Sequence, residues 1–262
     1  MSKQTARLRF YAELNDFLPK AQQMRDQYCQ FVAPAPVRHL IELCGVPHTE
    51  VELILIDGRS VDLEQRVKGG ERISVYPCFE RLDIAPLLRV RPTPLRNIRF
   101  IADAHLGRLV RDLRMLGFDT LYNPEWDDAE LARISAEQHR ILLTRDRALL
   151  MRREITHGCY LRHRPHPVML EGLIQRLDLC TSIDPFCRCI RCNGHVSAAS
   201  EEEVTNNLPP DRSGIQPPFY RCDDCRQVYW EGSHYQAMLG KIARLCPQRA
   251  SRYNPDTDFN RH

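Results

Sequence analysis

Asn97-Ile98-Arg99-Phe100-Ile101-Ala102-Asp103-Ala104-His105-Leu106-Gly107-Arg108-Leu109-Val110-Arg111-Asp112-Leu113-Arg114-Met115-Leu116-Gly117 is the stretch that decides how this chain is read. A short apolar run, Ile98 to Ala102, ends in the carboxylate of Asp103. Leu106, Leu109, Val110, Leu113 and Leu116 then recur at the 3.6-residue period of a helix, and Gly117 stops it. The same alternation continues downstream. Phe118 to Tyr122 is a short strand, and Asp128 stands at the N-cap position before Leu131 and Ile134. Arg140-Ile141-Leu142-Leu143-Thr144 is the next strand and ends in Arg145-Asp146. A further helix is expected from Val168 to Leu179. Short apolar strands alternating with helices predict an α/β domain, a parallel sheet covered by helices.

Upstream, residues 5–80 have another pattern. Arg7 to Leu14 alternates polar and apolar like a half-buried strand. Val37, Leu40, Ile41 and Cys44 share a helical face that ends at Gly45. Val51 to Ile56 and Ile73 to Tyr76 are strands, with a hairpin turn at Asp57-Gly58 and another turn at Gly69-Gly70. One helix among strands predicts a mixed sheet with a helix on one face. Pro86, Pro92 and Pro94, interleaved with Arg81, Arg89, Arg91 and Arg96, mark residues 81–96 as an extended linker. The expected division is therefore 1–80, linker 81–96, an α/β domain over 97–182, a cysteine-bearing module with a closing helix over 183–246, and a disordered tail over 247–262.

The chain's 262 residues suit roughly two domains. With 43% hydrophobic and 27% charged residues it has a globular balance, which excludes collagen, coiled coil and wholesale disorder. No stretch reaches the ~18 apolar residues of a membrane span. The N-terminus has no apolar signal region, so a cytoplasmic location is expected. The formal charge of +3 decides little, but its distribution is informative. Residues 1–80 carry 10 basic and 11 acidic side chains, whereas residues 86–180 carry 16 Arg, no Lys and 12 acids. A basic middle suits a phosphate-bearing partner.

Asp103 and Asp146 occupy equivalent places, each just beyond a strand. Ligands of open parallel sheets bind outside the strands' carboxyl ends. Asp128, opening the intervening helix, is the third candidate; Asp127 and Glu130 are its rivals, and Asp119 and Asp184 are candidates for a fourth carboxylate. Gathered carboxylates repel unless a hard cation such as Mg²⁺ or Mn²⁺ offsets them, and such an ion suits phosphodiester hydrolysis. The alternative for each Asp is a turn or helix cap. Arg108, Arg111 and Arg114 recur every third position, and Arg145 and Arg147 flank Asp146. They form either a solvated face pairing with Asp112 or a phosphate track.

Eleven cysteines are too few for a disulfide scaffold, but Cys189-x-x-Cys192 and Cys222-x-x-Cys225 match a closed, structural Cys₄ zinc site. The 29 residues between the pairs imply that 197–218 loops out. Cys187 is a surplus fifth candidate, and His234 is a helix-start residue rather than a ligand. Cys29, Cys44, Cys78, Cys159, Cys180 and Cys246 read as small buried hydrophobes. Arg188, Arg191, Arg221 and Arg226 beside Tyr220, Tyr229 and Trp230 suit single-stranded nucleic acid. For Tyr220 and Tyr229 the preferred role is packing of the ribbon's small core.

Ile101-Ala102-Asp103, Leu106-Gly107-Arg108-Leu109, Leu113 to Asp119 and Ile141 to Asp146 resemble the Mut-seven C-terminal RNase family. Arg188-Cys189 with Cys192-Asn193, and Tyr220 to His234, are similar to its appended zinc ribbon. The resemblance covers about residues 97–240. It implies a PIN-like nuclease fold with metal-binding aspartates, carried onto Asp103, Asp146 and Asp128. Residues 5–80, through Gly45 to Val51 and Val75-Tyr76-Pro77, resemble the ubiquitin-like β-grasp domain that accompanies this RNase. Sulfur carriage is not expected, because the last strand continues instead of ending in a free Gly-Gly. The resulting expectation is a metal-dependent ribonuclease with Asp103, Asp128 and Asp146 catalytic and Asp103 and Asp146 holding Mg²⁺ or Mn²⁺. Arg108, Arg111 and Arg145 would contact RNA, Cys189, Cys192, Cys222 and Cys225 would hold zinc, and the β-grasp domain would dock a protein partner or position RNA. The alternatives are a non-catalytic RNA-binding or adaptor protein and a redox or sulfur-handling protein.

Overall fold

The computed structural model describes residues 3–77, 89–90, 98–208 and 215–247. The expected linker falls mostly, and the expected tail almost wholly, outside the described residues. The chain divides into two compact units, Met1–Asn97 with Trp126–Arg162, and Ile98–Glu125 with His163–His262.

In the first unit, β1 (Lys3–Phe10), β2 (Gln27–Val32), β4 (Leu53–Ile56), β5 (Arg59–Val61) and β7 (Arg72–Tyr76) form a mixed sheet in the order β2-β1-β7-β4-β5. β1 and β7 are parallel, and the other pairs run antiparallel. Two short strands, β3 (Ala35–Pro36) and β6 (Arg66–Val67), pair beside them. Alternation in β1 buries Ala6, Leu8 and Phe10. They share a core with Val37, Leu40 and Ile41 of helix α1 (Val37–Leu43) and with Ile54, Ile73 and Val75. This is the expected β-grasp arrangement. Cys44 caps α1, and Asp57-Gly58 makes the turn between β4 and β5 with both residues at positive φ, 48° and 82°.

Two details differ from the sequence reading. The first strand ends at Phe10, because residues 12–17 turn into a 3₁₀ helix that buries Leu14 and Phe17. β2 was not anticipated, although Gln27-Tyr28-Cys29-Gln30-Phe31-Val32 alternates in burial as an edge strand should.

The α/β part contains β8 (Phe100–Ala102), α2 (Gly107–Met115), β9 (Thr120–Tyr122), α3 (Asp128–Gln138), β10 (Ile141–Thr144), α4 (Arg147–Leu150), β11 (Gly158–Tyr160) and α5 (His166–Arg176). β8 pairs in parallel with β9, and β10 in parallel with β11. β8 and β10 are buried throughout, as strands covered on both faces must be. Gly117 ends α2 at φ +94°, and a side chain there would put a Cβ 1.9 Å from the Asp184 carbonyl oxygen. The last expected helix starts two residues early, with Pro167 in its first turn, and stops at Arg176.

The C-terminal module is a three-stranded antiparallel sheet of β12 (Val196–Ala199), β13 (Phe219–Cys222) and β14 (Val228–Trp230), followed by α7 (Ser233–Leu245). The stretch expected to loop out is partly structured. β12 pairs with β13, and α6 (Glu201–Val204) begins with a reciprocal Ser200–Glu203 capping box. Its Val204 packs against Phe219 and Val228. Ser233 is the first residue of α7, and Gly232, at the N-cap position, makes no side-chain cap. Among the described residues no helix is long and apolar enough to cross a membrane.

Candidate functional site

The cysteine centre grows out of two tight turns. Cys189 N donates to Gly194 O (2.8 Å) and Asn193 N to Cys189 O (2.9 Å), so Cys189-x-x-Cys192 curls around its own thiols. Cys222 N donates to Gln227 O (2.9 Å) and Arg226 N to Cys222 O (3.1 Å), repeating the motif. Asn193 and Arg226, each one residue past its second cysteine, take left-handed φ values of 77° and 61°. The two turns bring Cys189 Sγ to 3.6 Å from Cys225 Sγ and Cys192 Sγ to 3.4 Å from Cys222 Sγ. All four sulfurs lie within 4.8 Å of one another. Four soft thiolates at this spacing fit tetrahedral zinc with no open coordination position, so the centre is structural in kind. Cys187 and His234 lie outside the cluster.

The surroundings tune these thiols. Burial disfavours the Cys189 thiolate, yet the Tyr229 hydroxyl at 3.0 Å and the amides of the first turn outweigh it and bring Cys189 down to about 7. Burial pushes Cys222 up to about 12, and it likewise raises the surplus Cys187 to about 12. Tyr229 thus has a polar role at the cluster besides packing, whereas Tyr220 is buried as expected.

Two residues fasten this cluster to α2 and β9. Arg114, read from sequence as surface or phosphate track, is buried. Its Nε donates to Thr120 O (2.9 Å) and its Nη1 to Arg191 O (2.8 Å), which lies between Cys189 and Cys192. Burial lowers its pKa, while the nearby thiolates of Cys189 and Cys192 oppose that. Asn193 Oδ1 accepts from Thr120 N (2.9 Å), and its Nδ2 donates to Asp119 Oδ1 (2.7 Å). Asp119, a candidate fourth carboxylate, therefore has a structural partner. Sequence reasoning missed both fasteners. The Asn193-Gly194 turn was a legible signal, but nothing in the spacing of Arg114 separates it from exposed Arg108 and Arg111.

Three helices also meet at Asp112, whose Oδ2 accepts from His166 Nε2 (2.5 Å) and Lys241 Nζ (2.6 Å). Cys180 and Cys246 are joined by a disulfide, which corrects the expectation that both are isolated apolar fillers. Cys29 and Cys159 are buried as expected.

The aspartates sit where strands become helices. Asp103 follows β8, and its Oδ1 accepts from Ala104 N (2.6 Å). Asp146 follows β10 and caps α4, its Oδ1 accepting from Ala148 N (2.7 Å) while its own amide donates to Thr144 Oγ1 (2.9 Å). The N-cap of α3 is Asp127, whose Oδ1 accepts from Glu130 N (2.8 Å); Asp128 is the first helical residue and exposed, which corrects its expected capping role. Among the described residues, the cysteines are the one group of three or more metal-donor side chains gathered within 4.8 Å, and the aspartates are not in it. Arg145 is half-buried after β10.

A β-grasp module, a parallel α/β sheet and a four-thiol ribbon define a multi-part α/β protein with a cysteine cluster suited to holding a metal. The chain belongs to the Mut7-C RNAse family: the Mut7-C RNAse domain matches residues 98–242, more than half of its length. The Mut7-C ubiquitin domain matches residues 3–83. No curated protein and no solved structure matches the chain. Family membership points to a nuclease.

Proposed function

We propose that this protein is a metal-dependent ribonuclease that hydrolyses RNA phosphodiester bonds, with its ribbon braced by zinc. The observation that carries the reading is the RNAse-domain match together with two carboxylates, Asp103 and Asp146, each placed just after a buried parallel strand. Asp103 and Asp146 would hold Mg²⁺ or Mn²⁺, whose hard oxygen preference suits carboxylates, with Asp128 assisting. A bound ion of this kind activates water and stabilises the oxygens of a displaced phosphodiester. Arg108, Arg111 and Arg145 would hold backbone phosphates. In this reading 1–80 is the β-grasp domain, 81–96 a linker, 97–182 the nuclease domain and 183–246 the ribbon with its helix. The protein would act in the cytoplasm, with RNA as its partner.

The decisive experiment incubates the purified full-length chain with a mixed RNA pool, with and without added Mg²⁺ or Mn²⁺. Cleavage that needs the cation and disappears in Asp146→Asn is expected. Cleavage indifferent to both sinks the mechanism. A non-catalytic RNA-binding or adaptor role is the alternative, which exposed Arg108 and Arg111 would serve equally well. Salt-sensitive RNA binding with no turnover under any divalent cation would establish that role instead.

A further inference from the structure

Asp146 caps a helix of only four residues, Arg147–Leu150. So short a helix has no stability of its own, because nucleation costs more than its few hydrogen bonds return. Its direction, and with it the aim of the Asp146 carboxylate, is fixed by what its side chains touch. Leu149 and Leu150 are buried and anchor one side. The other anchor is Arg147, at the first helical position, where the helix dipole disfavours a cation.

The reason for a cation there lies in the β-grasp part of the same compact unit. Arg147 Nη1 donates to Phe17 O (3.2 Å), and its guanidinium lies 5.2 Å from the ring centroids of both Phe17 and Tyr160. The two rings pack 5.4 Å apart, and Phe17 is buried. Arg162 adds a second bracket, pairing with Asp16 and lying 5.9 Å over Phe17. Tyr160 is held in turn, since its amide donates to Oε1 of buried Glu50 (2.6 Å). Buried His48 contacts Glu42 Oε1 through Nδ1 (2.7 Å) and Ile155 O through Nε2 (2.9 Å).

We propose that Arg147, clasped between Phe17 and Tyr160, is a positioning residue for Asp146, so that the β-grasp domain sets the geometry of the nuclease site. This rests on the reading of Asp146 as a metal ligand. The clasp takes the place of the supporting contacts that usually orient a metal-binding carboxylate.

The test uses the full-length chain and Mn²⁺ alone as probe, with bound ion measured by the loss of the free-ion EPR signal and RNA cleavage measured separately. Arg147 is largely exposed, so Arg147→Met should fold and melt like the wild type. It is expected to weaken Mn²⁺ binding about tenfold, the range for lost supporting contacts, and to lower kcat to match while leaving KM for RNA unchanged. Arg147→Lys should recover part of the loss, and Phe17→Leu, which keeps the bulk but not the ring, should reproduce it. Unchanged Mn²⁺ binding in Arg147→Met overturns the proposal. So does a defect confined to KM, which would make Arg147 a phosphate contact. Asp146→Asn separates the two ideas. If it binds Mn²⁺ like the wild type, the metal-site reading falls and takes the positioning role with it. If it loses Mn²⁺ while Arg147→Met does not, the positioning role alone falls.

Discussion

The cysteine ribbon and the aspartate-bearing strand ends both read as metal sites in the sequence, yet the chain builds them in different ways. Each pair of thiols is delivered by one six-residue turn closed by its own backbone hydrogen bonds, so the donors converge once two hairpins meet. Each aspartate instead satisfies a local demand first, accepting an amide proton at the start of a helix. A thiol has few such local uses, and four of them close together are hard to explain without a metal. A carboxylate has many, so its position at a strand end is a weaker sign of an ion than a Cys-x-x-Cys pair is.

The predictions sharpen that contrast. Cys222→Ser should have the largest effect, because structural zinc in small modules contributes on the order of 10 kcal/mol to folding. Zinc content measured by a colorimetric chelator should fall to none, and amide protection over Phe219–Trp230 should vanish. Retained zinc and protection would mean the ribbon stands without its tetrathiolate. Next, Asp146→Asn should reduce RNA cleavage by about a hundredfold or more, as expected for loss of a metal ligand, while leaving zinc content intact. Arg114→Met should lower unfolding stability by about 2–3 kcal/mol, since it strips donors from the buried Thr120 carbonyl and from the Arg191 carbonyl. Denaturant titration reads this loss, and faster zinc release should accompany it. The smallest effect separates two neighbours. Asp127→Ala should cost about 1 kcal/mol as a lost helix cap, and Asp128→Ala should leave the melt nearly unchanged while impairing cleavage. Equal stability losses in both would blur the distinction between cap and candidate ligand.

Much of this architecture was legible in the chain. The 3.6-residue pattern of α2, the apolar run of β10, the Asp57-Gly58 hairpin and the four cysteines each state their structure locally. What stayed hidden depends on distant partners. Arg114 shares its spacing with exposed Arg108 and Arg111, and only the fold shows which of the three turns inward. The bond between Cys180 and Cys246 spans 66 residues of sequence, and neither cysteine belongs to a recognisable pair. At α3 two adjacent acids compete for one capping site, and a shift of one residue lies below the resolution of a sequence pattern.

The hydrogen bonds from the Tyr160 amide to Glu50 and from His48 to the Ile155 carbonyl bear on how this protein can be cut. A fragment trimmed to the family boundary at residue 98 would lose both side chains and bare the margin of β11, where an unpaired strand recruits other chains. Such a truncation should precipitate or stick to itself. The stretch matched by the RNAse domain is therefore expected to need the residues before it, and an inactive fragment would not count against the proposed activity.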